Sequence, residues 1–307
     1  MRNAFIKRLM VLASSNPKLF LITGDLGFGV LDEFEQKFPN QFLNVGVAEQ
    51  NMTAVATGLA LEGYIVFTYS IGNFPTLRCL EQIRNDVCYH EANVKVVSVG
   101  GGLSYGQLGM SHHATEDLSI MRALPNIVIC APGGAHESAL AVDSVIAHQG
   151  PAYLRLERAA ADVVENVEAP FEFGRARVLR EGRDMTLISC GGVVAETVAA
   201  ADLLAQQNIR CRVLSMHTVK PFDAQAVLSA AKDTGGICTI EENTLQGGLG
   251  GAVAEVCMDH RIQPKRFRRM GIRDTFVSTV GDQAYLRTEI GLDRQAIAAA
   301  VRNVLET

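Results

Sequence analysis

Five short apolar runs most limit what this chain can fold into. They are "LFLITGDLG" (19–27), "YIVFTYS" (64–70), "VKVVSVG" (94–100), "NIVICAP" (126–132) and "AYLRLER" (152–158). A run that is apolar at successive positions suits a strand buried on both faces. Helix-like segments separate the runs. One covers 3–14, another follows "NVGVAEQ" with Met52, Val55 and Leu59 on one face, and others cover 77–90 and 136–150. Alternation of this kind predicts a parallel sheet covered on both faces. The pattern pauses in a polar stretch at 159–184 and restarts at "MTLISCGG" (185–192). The predicted class is therefore α/β with two doubly wound domains. A larger parallel-sheet domain spans 1–165, a linker spans 166–184, and a smaller α/β domain spans 185–307.

With 307 residues, 48% of them hydrophobic, the chain can bury two cores. A net charge of −5 gives no general pull toward nucleic acid or an anionic membrane. One stretch, "RIQPKRFRRMGIR" (261–273), is locally basic. It reads as a solvated strand edge, or else as a docking patch for an acidic partner. Seven cysteines include no C-x-x-C pair and mostly sit in apolar runs. That suits reduced, buried thiols of a cytoplasmic protein, not a disulfide or zinc framework. The N-terminal segment is too short and too charged to span a membrane, and it makes a poor signal peptide.

Three segments invite a chemical reading. "TLQGGLGGAVAE" (244–255) places glycines before a helix, but the dinucleotide fingerprint spacing is not met. Tight turning and close helix packing account for those glycines. "GQLGMSHHATED" (106–117) places His112 and His113 on a loop after a strand, where α/β proteins present ligand groups. Glu116 nearby does not complete an established zinc pattern. In "NVGVAEQNM" (44–52), Glu49 stands alone among small and apolar residues. A carboxylate there is costly to bury unless it is paired or protonated. The alternative is a helix-start acid that faces water.

Taken in order, "GDLG", "NVGVAEQNM", "GYIVFTYSIGNF", "LGMSHHATEDLSIMRALPNIVICAP", "HTVKPFD" and "EENTLQGGLG" resemble the C-terminal half of transketolase. They are similar also to deoxyxylulose-phosphate synthase and to 2-oxo-acid dehydrogenase β subunits. The resemblance covers nearly the whole chain, and it makes the first domain the pyrimidine-binding one. It implies that Glu49 hydrogen-bonds a pyrimidine ring nitrogen of thiamine diphosphate and supports proton transfer within that cofactor. It further implies that Asp25 and Leu26 lie at the cofactor, with Leu26 beneath it, and that Phe74 or Tyr69 stacks on the pyrimidine. His112 matches a histidine that contacts substrate oxygens, and His113, where relatives often have Gln, is a further substrate candidate. Arg155 matches a substrate-phosphate arginine, and Arg2 is a second candidate for that role.

The departures are informative. Gly100, Leu108 and Gly29 stand where sugar-phosphate transketolases have a His, an Asp and a Ser for the substrate. This points away from the pentose-phosphate substrates and toward a modified sugar. The G-D-G motif that holds the diphosphate through a divalent metal does not occur. The resemblance then implies that Mg2+ ligands come from an N-terminal-half partner subunit, in an α2β2 assembly, with no metal ligand in this chain. The resulting expectation is one subunit of a split transketolase moving a two-carbon ketol unit from a ketose to an aldose. A deoxyxylulose-phosphate-synthase-like or 2-oxo-acid-decarboxylating β subunit is one rival, and a non-catalytic partner-binding relative is another.

Overall fold

The computed structural model describes residues 1–158 and 170–306. The expected end of the first domain (159–165) and start of the linker (166–169) lie outside the described residues. The first half comprises α1 (Arg2–Ala13), β1 (Leu19–Thr23), α2 (Asp32–Lys37), β2 (Phe42–Asn44), α3 (Glu49–Leu61) and β3 (Ile65–Ile71). It continues with α4 (Leu80–Gln82), which runs into a π-helical turn at Ile83–Cys88, then β4 (Val94–Val99), α5 (Asp117–Ala123), β5 (Val128–Cys130), α6 (Ala135–Ala147) and β6 (Ala152–Leu156). The second half adds β7 (Arg177–Arg180), β8 (Met185–Ser189), α7 (Val194–Ala205), β9 (Cys211–Ser215), β10 (Thr218–Lys220) and α8 (Ala224–Asp233). It ends with β11 (Ile237–Thr244), α9 (Leu249–Asp259), β12 (Phe267–Ile272), α10 (Gln283–Glu289) and α11 (Arg294–Glu306).

Two sheets form, in the orders β10-β5-β6-β4-β3-β1-β2 and β12-β11-β8-β9-β7. Each is parallel except for one antiparallel edge strand, β10 in the first and β7 in the second. The α/β class with two sheets agrees with the sequence reading. Details differ. The short α2 and β2 have no counterpart in that reading, and the helix expected over 77–90 is broken into α4 and its π-turn. Strand β7 falls inside the stretch expected as linker. Strand β10 leaves the second half to pair with β5, because Ala131 N also donates to His217 O at 2.7 Å and carries the ladder on.

An apolar cluster crosses the junction. It joins Ile22, Met52 and Leu118 of the first half with Ile188, Leu214, Val227 and Val253 of the second. On the far face of the first sheet, α1 and α6 cover a second cluster through Phe5, Leu9 and Val142. On the far face of the second sheet, α7 and α11 cover a third through Val198, Leu204, Ile297 and Val301. All seven cysteines are free and buried. Among the described residues no helix is long and apolar enough to cross a membrane.

The junction also buries charge. Arg155, within β6, donates from Nε to Asp117 Oδ2 at 2.9 Å, and from Nη2 to Ala114 O at 3.0 Å and Glu242 O at 2.9 Å. Tyr153 donates to the same Asp117 oxygen at 2.5 Å. A second buried pair links Arg177 of β7 to Glu137 of α6 at 3.2 Å. Beside it His217 stacks on Phe171, with ring centroids 3.9 Å apart, and its Nδ1 faces Thr218 Oγ1 at 2.9 Å. Its Nε2 is buried with no partner among the described residues.

Two outcomes follow from this junction. Arg155→Met leaves Asp117 buried without its counter-ion, so chemical unfolding should show a loss of about 3–5 kcal/mol. Burial pushes the His217 imidazole down to about 4, with the charge of Glu137 opposing. Between that value and the ordinary histidine range the unfolded chain binds the extra proton. Stability is therefore full above about pH 6.5 and falls as pH drops toward 4, by roughly 3 kcal/mol in total. Urea titrations at pH 7 and 4.5 should show that slope, and His217→Gln should flatten it.

Candidate active site

Parallel strands carry their carboxyl ends to one edge, and the strand order reverses between β1 and β3. That reversal is where open α/β sheets bind ligands. The loops after β1, β2, β3 and β4 meet there, with Glu157 and Arg158 at the end of β6. After β1, Asp25 takes φ +58, an unusual value for a residue with a Cβ. Asn44, at the end of β2, holds it: Asp25 N donates to Asn44 Oδ1 at 2.9 Å, and Asn44 Nδ2 donates to Asp25 Oδ1 at 3.1 Å. Leu26 follows, half-buried, and its carbonyl accepts from Thr23 Oγ1 at 3.0 Å.

Glu49 opens α3 and is 3% exposed. A helix start favours an acid, but burial demands a partner as well. Arg78 supplies it, with Nη1 at 2.8 Å from Glu49 Oε2. No described residue donates to the other oxygen, Oε1. Gly24 lets the carboxyl side chain lie close to β1, since a Cβ there would sit 3.4 Å from Glu49 Cγ. The Arg78 guanidinium lies over the Phe74 ring at 4.4 Å, and Phe74 meets the His112 ring edge-on at 5.2 Å between centroids. Glu49, Arg78, Phe74 and His112 thus form a continuous chain of contacts. His112 is half-exposed, with Nδ1 at 3.0 Å from Ser111 Oγ.

The other expected residues separate. Tyr69 is in the core, stacked against Phe5 at 6.2 Å, and burial raises its phenol pKa. It packs with the α1 cluster, whereas Phe74 lies beside Arg78 and His112. His113 is buried, its Nε2 has no partner among the described residues, and burial holds its pKa low. Arg155 is corrected as a substrate arginine: it is fully buried, and chain groups engage Nε and Nη2. Arg158, three residues on, is exposed beyond the end of β6, with its guanidinium 5.8 Å from the Tyr105 ring centroid. Arg2 starts α1 near the same edge, because Glu157 N donates to Met1 Sδ at 3.2 Å. Arg2 Nε is buried without a partner among the described residues.

The departures noted in the sequence have local causes. Gly100 has φ +103, and the Tyr105 ring fills the place its Cβ would take, so no histidine fits there. Gly29 N donates to both Asp32 oxygens at 3.1 Å, and Leu108 is exposed. Sequence reading missed Arg78 and Arg158. The signal for Arg78 was the unpaired acid itself, which required a nearby cation. The signal for Arg158 was its place at the end of the apolar run, where a strand gives way to a loop.

The residues present fit a thiamine diphosphate pyrimidine. A buried carboxyl keeps one oxygen uncommitted at the edge of the sheet, beside an aromatic ring. Comparison with known proteins agrees. Residues 1–162 match the family described as "Transketolase, pyrimidine binding domain", and residues 174–297 match "Transketolase, C-terminal domain". The chain is similar to the 6-deoxy-6-sulfo-D-fructose transketolase subunit of Clostridium sp. (strain MSTE9), 38% identical over 307 residues, covering 100% of this chain and 94% of that protein. It is similar to an apulose-4-phosphate transketolase subunit of Phocaeicola vulgatus, 35% identical over 298 residues, covering 96% of this chain and 94% of that protein. A solved split-gene transketolase, an inactive tetramer of β chains, superposes with a TM-score of 0.88 at 35% identity, covering 99% of this chain and 97% of that one. This chain belongs to the transketolase family and carries its pyrimidine-binding and C-terminal domains.

Proposed function

We propose that this chain is the C-terminal subunit of a split, thiamine-diphosphate-dependent transketolase that moves a two-carbon ketol unit from an anionic ketose to an aldose. The observation that carries this reading is the buried Glu49 carboxyl, with one oxygen on Arg78, whose guanidinium lies over Phe74, which in turn meets His112. When bound, the cofactor supplies a carbon nucleophile for the ketose carbonyl and carries the two-carbon unit. Glu49 would accept and return a proton at the pyrimidine ring nitrogen. Leu26 would support the cofactor from below, Asp25 would border it, and Phe74 would stack on its pyrimidine. His112 would donate a hydrogen bond to substrate oxygen as charge develops there.

A partner of N-terminal type, with Mg2+ and the diphosphate ligands, would complete the site in an α2β2 assembly. The missing G-D-G motif supports this. So do the apolar side chains left open on the site's own loops, with Phe28 77%, Val47 74%, Leu108 55% and Met110 51% exposed. A related split-gene transketolase made of β chains alone is inactive. Arg158 and Arg2 are the cations placed to meet a phosphate or sulfonate on the sugar. Two relatives are named for such sugars, one sulfonated and one phosphorylated.

Turnover of the complex tests the role of Glu49. Glu49→Gln should lower kcat by about 10²–10⁴-fold with the fold intact, as loss of a proton-transfer group does. Full activity in that variant would remove the reading, and release of carbon dioxide from pyruvate would favour the decarboxylating relatives instead. Arg158→Ala should raise KM for an anionic ketose by roughly 10–100-fold while thermal unfolding stays at the wild-type temperature. An unchanged KM would exclude Arg158 from the substrate.

A further inference from the structure

The loop that carries His112 and His113 is held by the second domain. It leaves the first sheet after β4 and is closed at its base by two hydrogen bonds, Gly102 N to Ala114 O at 2.8 Å and Ala114 N to Gly102 O at 2.9 Å. Glu242 of β11 sits against that base. Its Oε1 accepts from Leu103 N at 2.5 Å and Gln283 Nε2 at 2.9 Å, and its Oε2 accepts from Arg287 Nε at 2.5 Å. Gly102 has φ +61, and a Cβ there would collide with Glu242 Oε1, so the carboxylate packs directly on backbone. Arg287 also reaches Glu157 Oε2 at 3.1 Å, and Gln283 reaches the same oxygen at 3.0 Å. Both donors lie on α10. The same helix grips the loop further out, where Leu286 packs on Gly106 and its Cδ1 occupies the place a Cβ would take.

These contacts exceed what joining two domains requires. The Arg177–Glu137 pair joins them at another place, between β7 and α6. At Glu242 the carboxylate bonds to the loop's own backbone, and Arg287 fixes that carboxylate. We propose that Arg287 and Glu242 are positioning residues through which α10 of the second domain sets the place of the 103–113 loop, and so the reach of His112 to substrate. The catalytic half of this statement rests on reading His112 as a substrate contact, and the ordering half does not.

Amide hydrogen exchange of the full chain, alone and in complex with its partner, tests the ordering half. Arg287→Met should speed exchange of the 103–113 amides by about tenfold or more, because a held loop becomes a locally opening one. Arg287→Lys should restore part of the protection, and Arg177→Met should leave these amides at wild-type rates. Equal acceleration by Arg287→Met and Arg177→Met would overturn the proposal in favour of simple domain cohesion, as would wild-type rates in Arg287→Met. If Arg287→Met does not fold, Gln283→Ala answers the same comparison, since it removes the bridging amide without unpairing a charge. In the complex, Arg287→Met should also raise KM for the ketose. A loosened loop with unchanged KM and kcat would overturn the catalytic half, whereas the reading of His112 itself would fall only if His112→Ala kept wild-type KM and kcat.

Discussion

Parallel pairing is the constraint on which the site depends. Once β1, β2, β3, β4 and β6 run in one direction, their carboxyl ends open on one edge, and every return crossing needs a helix. Residues far apart in sequence then meet: Asp25 after β1, Glu49 after β2, Phe74 and Arg78 after β3, His112 after β4 and Arg158 after β6. The edge holds the long connections, such as that between β4 and α5, and the positive-φ residues Asp25, Gly72 and Gly100. The helices and the continuous apolar runs stay behind it as rigid support.

Burying charge is the second constraint, and the chain meets it twice with opposite purposes. At the junction, Arg155 and Asp117 are closed off, with Ala114 O and Glu242 O completing the guanidinium's contacts. Such a cluster fixes the register of two domains, and breaking it by half is costly. At Glu49 the pairing is incomplete: one oxygen bonds to a cation that is itself half in water, and the other is left open. A carboxyl with a free oxygen at a ligand-binding edge can exchange a proton with a bound group. Asp117 also keeps one oxygen, Oδ1, without a partner among the described residues. Its other oxygen takes both Arg155 and Tyr153 inside the domain junction, whereas Glu49 has Arg78 alone among the described residues and stands at the sheet's ligand edge.

Much of this was legible in the sequence, for physical reasons. Runs such as "VKVVSVG" have one reading because β4 is buried at every position. Glu49 stood out because its neighbours are apolar. What stayed hidden needs long-range contact. No local signal sends Thr218–Lys220 to the other sheet, and β2 has three residues, too few for a pattern. Arg155 and Arg158 share one short segment, and only the strand's end at Leu156 distinguishes the buried one from the exposed one. Tyr69 likewise sits within β3, so its ring belongs to the core, whereas Phe74 lies past the strand's end. In both cases the residue inside the strand is core, and the residue past the strand's end lies at the site edge.

The central claim is that this chain holds the pyrimidine half of a cofactor site and lacks the diphosphate half. Calorimetric titration of the purified chain with thiamine diphosphate and Mg2+ tests it most directly, first alone and then with a co-expressed partner of N-terminal type. The account predicts no detectable binding by the chain alone and magnesium-dependent binding by the complex. Tight, magnesium-dependent binding by the chain alone would contradict it, because the diphosphate and its metal would then be held within these residues.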